Sequence, residues 1–508
     1  MPLSPLRLRL LIVALLTVSL LGALDHTIVS TSLATIAGSL GALEAMSWVM
    51  VSYTLASTVL LPVLGKLSDL FGAKRVFLVS LAAFLLASLW CGFAGDMPTL
   101  IVARVVQGMS SAGLMLVSQT IIAAATTPRE RPKYMSIIGA AFPIAIVLGP
   151  AVGGLLTDYL GWRWVFWINL PIGVIAFAMA AFAVPRTPAG GGRGRYDYAG
   201  TAALSVALVS LVLAVSWLGD PGLRVPMITA FVIAAVGFVL LGLIERRVAE
   251  PLVPLWYFRN RTVAAGLALS VVVGIGLFSV VAYIPTYVQM AYGTSATVSG
   301  LVPIATVMGM LFSNLLTGFA ASRTGTYRPY PIIGTALGAL GMLGMAVLPV
   351  GTPLWVPMLV MFVVGIGTGA FSSLVVTVVQ AAVPRRETGT VTATVNLVRQ
   401  IGATVSTAFV GMLIAVGVAA ALPDGLDPST LTPQAVQAAG PDVVADVAAV
   451  YTHVIGPIFG CLAVVFVVGI VAALLLPPGR LPDEAAESDT IEAERRIPSV
   501  PRTQEEAS

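Results

Sequence analysis

Long apolar runs separated by short polar loops dominate the sequence. An α-helix needs about 20 mainly apolar residues to cross the hydrocarbon core of a bilayer. The predicted spans lie at residues 8–32, 46–64, 75–94, 99–124, 134–157, 164–184, 199–218, 226–244, 263–290, 297–320, 330–349, 354–382, 391–421 and 452–476. This pattern predicts an all-α membrane protein with fourteen transmembrane helices, in which the lipid bilayer is the solvent for most of the surface.

Lysine and arginine are concentrated in alternate loops, and this asymmetry predicts the orientation of the chain. If Arg7 and Arg9 are cytoplasmic, every basic loop falls on the cytoplasmic side, whereas the opposite loops hold only Arg163 and Arg224. The longest opposite loop, roughly 422–450, contains four aspartates and no basic residue. Because positive charge marks cytoplasmic loops, we expect both termini in the cytoplasm of a bacterium, with the chain in its cytoplasmic membrane.

A charged eleven-residue segment recurs in the two halves of the chain. The segment Gly65–Arg75 lies between the second and third apolar runs, and Gly318–Arg328 repeats two of its glycines and its final arginine at the same spacing. Such repeats are typical of transporters built from two related halves. The predicted organisation is therefore a six-helix bundle in 1–184, a linker with two additional helices in 185–261, a second six-helix bundle in 262–476 and a disordered cytoplasmic tail in 477–508.

The composition supports a membrane protein and argues against several other classes. Hydrophobic residues make up 58% of the chain and charged residues 10%, and the mean hydropathy is +0.97, whereas a soluble domain carries about 25% charged residues. Basic residues are scattered among short loops, so a nucleic-acid partner is not expected. With two histidines, two cysteines and no Walker phosphate-binding loop, we expect no metal, no cofactor, no ATP hydrolysis and no enzymatic activity.

Three ionisable side chains fall well inside predicted spans: Asp25, Arg104 and Arg399. A charge at the centre of a membrane helix costs at least about 2.5 kcal/mol, so each side chain is expected to face a cavity or a partner. Asp25 could bind and release a proton, and Arg104 is its expected partner, although a permanent structural ion pair would use the same residues. Arg399 could line a substrate cavity or extend to the cytoplasmic interface.

Two clusters of small and charged residues suggest moving parts. In the first repeat, Asp69 could lie at a helix N-terminus and stabilise one conformation. The predicted latch residues are Gly65, Asp69, Gly72, Lys74 and Arg75. In the fifth span, proline and glycine residues favour a kink and close helix packing at a gate, although packing alone could explain them. The predicted gate residues are Pro143, Gly149, Pro150, Gly153 and Gly154.

Aromatic and polar side chains within the spans could line a substrate cavity, although most aromatic side chains of this kind face lipid or the core. The predicted cavity residues are Tyr53, Phe142, Tyr283, Tyr287, Asn314, Asn396 and Arg399. No aspartate or glutamate falls at the centre of a span in the second half of the chain. A second membrane carboxylate for divalent cations is therefore not expected.

The motifs together resemble those of the major facilitator superfamily, and in particular its fourteen-span drug:proton antiporters. Gly65–Arg75 is similar to the signature loop of the superfamily. The segments around Asp25 and Arg104 resemble the first-helix and fourth-helix motifs, and Gly149–Gly154 resembles the exporter motif of helix five. The segment Trp162–Pro171 resembles the start of helix six. Departures are His26, Ser30 and the absence of an acid near Asn314.

The resemblance implies a proton-driven antiporter, functional as a monomer, that exports amphipathic and often cationic toxic compounds. In this hypothesis Asp25 carries the proton and Arg104 adjusts its affinity. One alternative is an exporter dedicated to a single metabolite, antibiotic or lipid. A second is a transport-inactive membrane sensor or scaffold, and a third is a proton-coupled importer, which the exporter motif disfavours.

Overall fold

In the computed structural model, which describes residues 4–185, 196–218, 221–248, 251–349, 351–422, 436 and 441–482, the chain is helical almost throughout. Fourteen helical segments are long and apolar enough to cross a membrane, as the sequence predicts. The first half contains α1 Pro5–Ser39, α2 Met46–Phe71, α3 Ala73–Phe93, α4 Met97–Ala125, α5 Arg131–Gly139, α6 Ala141–Tyr159, α7 Trp164–Trp167 and α8 Asn169–Ala183. Helices α5 and α6 together form one span, as do α7 and α8.

The second half repeats this arrangement after two additional helices, α9 Tyr198–Ser216 and α10 Arg224–Glu245. It contains α11 Arg261–Tyr292, α12 Ala296–Ser299, α13 Leu301–Thr324, α14 Pro329–Ala346, α15 Trp355–Ala381, α16 Thr388–Ala421 and α17 Pro441–Leu475. Helices α1–α8 pack mainly among themselves, and so do α11–α17, which gives the two predicted six-helix bundles. We call them the first and second bundles.

The additional helices α9 and α10 pack against each other beside the boundary between the bundles. Leu204, Leu208 and Leu241 form one apolar cluster with Leu397 of α16. Helix α9 also contacts α2 of the first bundle. The inserted pair therefore contacts both bundles along one side of the molecule.

Several helices extend beyond the predicted apolar runs. The first helix ends at Ser39 and the second at Phe71, whereas the predicted apolar runs end at residues 32 and 64. In the second helix, polar residues such as Ser68 and Asp69 continue the helix beyond the apolar stretch. A proline in the fifth span causes the break between α5 and α6, since Pro143 has no N–H group to donate to the Gly139 carbonyl one turn earlier.

Parts of three predicted segments lie outside the described residues: 186–195 of the linker, 423–435 and 437–440 of the acidic loop, and 483–508 of the tail. The first tail residues are ordered against the second bundle. The Leu481 amide donates to the Gly325 carbonyl over 2.8 Å, and Arg480 forms an isolated antiparallel bridge with Thr326. The first six residues of the segment predicted as a disordered tail, 477–482, are therefore placed against the second bundle.

Candidate functional site

A buried ion pair occupies the middle of the first bundle. Asp25 lies close to the midpoint of α1, and its Oδ2 accepts a hydrogen bond from Nη1 of Arg104 on α4 over 2.5 Å. Both side chains have no solvent exposure. Two further donors reach the other carboxylate oxygen: Nε2 of Gln107 at 2.8 Å and Nδ2 of Asn169 at 3.0 Å. Asp25 therefore faces the bundle interior and accepts three hydrogen bonds.

Neighbouring helices complete the network around the ion pair. Ser88 Oγ on α3 accepts hydrogen bonds from Gln107 and Asn169, and the guanidinium of Arg104 stacks 4.0 Å from the centre of the Tyr53 ring on α2. Nη2 of Arg104 is buried without a hydrogen-bond partner. Five helices thus contribute to the network around the ion pair, and the Nη2 group of the arginine is available for a new contact.

Local sequence features bring these helices close together. A Cβ added at Gly108 would lie 2.9 Å from the Tyr53 Cα, so only glycine permits the approach of α4 to α2 next to Arg104. Asp96 caps the N-terminus of α4, because its Oδ1 accepts a hydrogen bond from the Thr99 amide over 2.8 Å. That bond lowers the pKa of Asp96 and fixes the end of the helix that carries Arg104.

Asp69 joins the two bundles at the end of the molecule where the basic repeat lies, which we call the basic end. Its Oδ1 accepts from the Gly389 amide at 2.8 Å, and its Oδ2 accepts from the amide and hydroxyl of Thr390 at 2.7 and 2.8 Å. These amides form the N-terminus of α16, where the helix dipole favours a carboxylate. A Cβ added at Gly65 would lie 2.5 Å from Cβ of Ala393, so glycine is required for this contact.

The other latch residues have different positions. Gly72 separates α2 from α3 with φ 87°, a conformation that favours glycine. Nζ of Lys74 donates to the Ala181 and Val184 carbonyls at 2.7 and 2.8 Å and so caps the C-terminus of α8. Arg75 is exposed. Lys74 and Arg75 therefore lie within the first bundle or at its surface, away from the junction that Asp69 makes.

The second repeat makes equivalent contacts with different chemistry. A Cβ added at Gly318 would lie 2.7 Å from the Pro132 carbonyl oxygen of the first bundle. Gly325 has φ 74°, and Nη2 of Arg328 donates to the Leu474 carbonyl at the end of α17 over 2.9 Å. Ser322 stands at the position equivalent to Asp69. Its side chain does not take the place of the carboxylate; instead its carbonyl accepts a hydrogen bond from Nε of Arg129 of the first bundle at 3.3 Å.

Two predicted cavity residues instead form hydrogen bonds between the bundles. Nδ2 of Asn314 donates to the Ser136 carbonyl over 2.9 Å, and Nδ2 of Asn396 donates to Oε1 of Gln119 over 2.9 Å. Like the Asp69 and Arg129 contacts, both of these hydrogen bonds lie toward the basic end. The structure therefore has its two bundles joined at that end.

The glycines of the predicted gate fall into two groups. A Cβ added at Gly149 would lie 2.5 Å from Cβ of Thr27, and one added at Gly153 would lie 3.0 Å from the Ile28 carbonyl oxygen, so both allow α6 to pack on α1. A Cβ at Gly154 would meet nothing within 4 Å. Pro143 is buried and Pro150 is exposed.

The remaining predicted cavity residues do not form one cluster. Tyr53 belongs to the Arg104 network, and Phe142 meets Phe278 of α11 across the bundle boundary, with 5.6 Å between the ring centres. Tyr283 and Tyr287 line a pocket inside the second bundle, between α11, α16 and α17. Arg399 donates from Nη2 to the Ser372 carbonyl on α15 over 2.9 Å.

Four residues that take part in these contacts have no role in the predicted site: Ser88, Gln107, Gln119 and Asn169. Gln107 and Asn169 lie within the motifs of the fourth and sixth spans, so those motifs contained the signal. Ser88 and Gln119 are single polar residues in apolar helices, and only the packing reveals their partners. Among the described residues, no group of three or more His, Cys, Asp or Glu side chains could hold a metal ion.

Comparison with known proteins agrees with this architecture. An uncharacterised MFS-type transporter of Mycobacterium tuberculosis is 33% identical over 500 residues, covering 96% of this chain and 72% of the relative. The multidrug transporter protein MdtP of Bacillus subtilis is 32% identical over 407 residues, covering 80% and 75%. The solved proton:xylose symporter XylE has the same fold, with a TM-score of 0.61 and 16% identity over 93% of this chain and 97% of that one.

The profile of the Major Facilitator Superfamily matches residues 15–407. This range includes the buried ion pair, the first repeat and the second repeat. Proteins of this family are membrane transporters and not enzymes. The chain belongs to the major facilitator superfamily.

Proposed function

We propose that the protein is a proton-driven antiporter that exports amphipathic toxic compounds across the bacterial cytoplasmic membrane, with its basic end and both termini in the cytoplasm. The observation that carries the proposal is the ion pair between Asp25 and Arg104, buried near the midpoint of α1. A chain with no transport role gains little from keeping a charged pair there, because burying two charges is expensive even when they are paired.

Asp25 is suited to bind and release a proton because protonation would change its hydrogen bonds. The carboxylate accepts from Arg104, Gln107 and Asn169, and a neutral carboxyl group would have to donate one bond and accept fewer. Arg104 would then need another acceptor, and its Nη2 already lacks one. Proton uptake therefore favours a different position of the arginine.

Movement at Asp25 can reach the bundle boundary through α1. Thr27 lies two residues beyond the acid, and its Oγ1 donates to the Ala145 carbonyl of α6 over 3.0 Å. Gly149 packs against the same threonine. A shift of α1 would therefore displace the helix whose other part, α5, contacts the second bundle at Ser136.

The energy available from protons suits export. One charge moving through 100 mV releases about 2.3 kcal/mol, which corresponds to roughly a fifty-fold concentration ratio. The named multidrug transporter among the relatives supports a broad substrate range. The principal alternative, export of a single metabolite, antibiotic or lipid, predicts transport of one compound and exclusion of unrelated dyes.

The test uses inverted membrane vesicles from an efflux-deficient host that expresses the full chain. We expect accumulation of ethidium or fluorescein to require an imposed proton gradient and to stop when a protonophore is added. Asp25→Asn should abolish gradient-driven accumulation while preserving exchange of labelled for unlabelled dye, because exchange does not need net proton movement.

Asp158→Asn, at the exposed end of α6, is the matched control and should behave as the wild type. Wild-type accumulation by Asp25→Asn would remove Asp25 from the proton pathway. Accumulation that continues without a proton gradient would refute antiport itself.

A further inference from the structure

We propose that Arg399 binds a negatively charged group of the substrate, so that organic anions with an apolar body are the preferred cargo. This inference rests on the proposed export function and specifies the substrate class. It assigns to the second bundle a role that differs from the proton site in the first.

Arg399 is too deep to extend to the basic end. It is the twelfth residue of α16, about 16 Å from the first residue of that helix at 1.5 Å per residue. Its Nη2 donates to the carbonyl of Ser372, which lies about 13 Å from the end of α15. The guanidinium is therefore held in the middle of the bundle, and the interpretation that it reaches the interface is not supported.

Arg399 follows the residues of α16 that contact the first bundle. Along α16 the contacts with the first bundle are made by Gly389, Ala393 and Asn396, and Arg399 is the next residue on this side of the helix. The residue after its acceptor, Ser373, lies against Gly139 of the first bundle. Part of the Arg399 side chain remains accessible. Arg399 thus lies beside the boundary between the bundles, with part of its surface accessible.

Among the described residues, the charge of Arg399 has no counter-ion. Arg104 is paired with Asp25, whereas the described acceptor of Arg399 is the neutral carbonyl of Ser372. Its Nε is buried with no hydrogen-bond partner. A guanidinium carries five N–H donors, so this one retains donors and a full positive charge for a ligand. A carboxylate, sulfonate or phosphate group of a substrate would supply both a negative charge and oxygen atoms that accept hydrogen bonds from the guanidinium.

The described acidic residues offer no competing site for a cation. Asp25 is the one described Asp or Glu near the middle of a span, and it is completely buried and paired with Arg104. The other described acids lie at helix ends or in loops. The resemblance to drug exporters implies cationic substrates, whereas the positive charge of Arg399 beside the bundle boundary favours anionic ones.

An aromatic pair at the bundle boundary lies one turn along α11 from the contact of that helix with the Arg399 main chain. Gly274 of α11 packs against the main chain of Arg399, where an added Cβ would lie 3.1 Å from its carbonyl carbon. One turn later on the same helix, Phe278 meets Phe142 of the first bundle. A substrate whose anionic group binds Arg399 can therefore place its apolar body against these rings.

The test compares fluorescein, an anion, with ethidium, a cation, in inverted vesicles that contain the full chain. The structure-based expectation is that Arg399→Gln lowers proton-driven fluorescein uptake about tenfold or more, as expected for losing a charge-assisted hydrogen bond. Ethidium uptake should be unchanged or increased. Arg399→Lys should recover part of the fluorescein uptake, because it keeps the charge but not the planar donor geometry.

Arg246→Gln, an exposed arginine at the end of α10, is the matched control and should leave both dyes unaffected. In the wild type, 1-naphthoate should inhibit fluorescein uptake more strongly than 1-naphthalenemethanol and 1-naphthylmethylammonium, which tests the charge preference even if Arg399→Gln does not fold.

The proposal is overturned if the wild type accumulates ethidium but not fluorescein, if the naphthalene compounds inhibit equally, or if a folded Arg399→Gln changes both dyes by the same factor. Each of these outcomes leaves proton-driven export intact. By contrast, uptake that is insensitive to the proton gradient and to Asp25→Asn would refute the proposed export function.

Discussion

The two arginines inside the membrane differ in what surrounds them. Arg104 is held by a carboxylate, a glutamine oxygen and the face of Tyr53, and it has no solvent exposure. Arg399 is held by one backbone carbonyl at the bundle boundary. Because an unpaired charge in an apolar environment is expensive, the first arginine depends on its acid and the second remains available to a ligand.

This dependence predicts a specific pattern of stability. Asp25→Asn leaves Arg104 buried without a counter-charge, and breaking a buried pair in this way typically costs about 3–5 kcal/mol. The double variant Asp25→Asn with Arg104→Gln removes both charges and should recover most of that loss. Thermal unfolding of the purified protein in detergent measures both effects.

The single variant Arg104→Gln completes the thermodynamic cycle for this pair. It should also be destabilised, because it leaves Asp25 without its cation. Additive effects of the two single substitutions would contradict a direct interaction between these side chains.

At the scale of helices, the same kind of contact appears twice with different residues. Gly65 brings α2 close to α16, and Gly318 brings α13 close to α5. The first junction uses the charge of Asp69, whereas the second uses Arg129 on backbone carbonyls. The second half therefore has the same close helix contact as the first, although Ser322 stands there at the position of Asp69.

The glycines of α6 allow a matched comparison. Gly149→Ala should disrupt the packing of α6 on α1, because the new Cβ would overlap Thr27, and dye transport should fall at least tenfold. Gly154→Ala should retain wild-type transport, since its Cβ would meet nothing within 4 Å. Both are measured by dye accumulation at equal expression.

A large loss of transport in Gly154→Ala would show that this glycine packs against a neighbour in another conformation of the transport cycle. Normal transport by Gly149→Ala would mean that the contact between α1 and α6 can relax without loss of function.

Much of the architecture could be predicted from the sequence because apolar length directly determines whether a helix can cross a bilayer. The fourteen spans and the family follow from that signal and from the motifs. The partners of polar residues could not be predicted in the same way. Asn396 and Gln119 are 277 residues apart, and nothing local in either helix indicates that they bond to each other.

The predicted substrate cavity shows the same limit. Tyr283 and Tyr287 occupy a pocket within the second bundle, whereas Asn314 and Asn396 join the bundles and Phe142 meets Phe278. A polar or aromatic residue in a span can face the cleft, a neighbouring helix or the core of its own bundle. Composition does not distinguish these positions, because they differ only in how the helices are rotated against one another.

For the whole molecule, the distribution of contacts defines one state of a transport cycle. Hydrogen bonds from Asp69, Arg129, Asn314 and Asn396 join the bundles toward the basic end. An exporter must break these contacts to take up substrate from the cytoplasm and must form them again before release. We therefore expect the structure to represent the state that is closed to the cytoplasm and open on the opposite side.

Cross-linking across the Asn396–Gln119 contact tests this assignment. In a background with Cys91→Ala and Cys461→Ala, the pair Gln119→Cys and Asn396→Cys should react with a short bifunctional thiol reagent, because the two native side chains are 2.9 Å apart. The cross-link should abolish transport, since it holds the bundles together at the basic end, and cleavage of a reducible linker should restore it. Gln119→Cys alone, treated in the same way, should retain transport.

Labelling of the cross-linked protein then determines which side is open. Ser30 is exposed on α1, one turn beyond His26, whose ring centre lies 6.0 Å from that of Tyr53. With Ser30→Cys added, a membrane-impermeant maleimide should react from outside intact cells while the basic end is cross-linked. Reaction only from the cytoplasmic side would reverse the proposed orientation, and continued transport by the cross-linked protein would show that the contact at Asn396 need not open during the cycle.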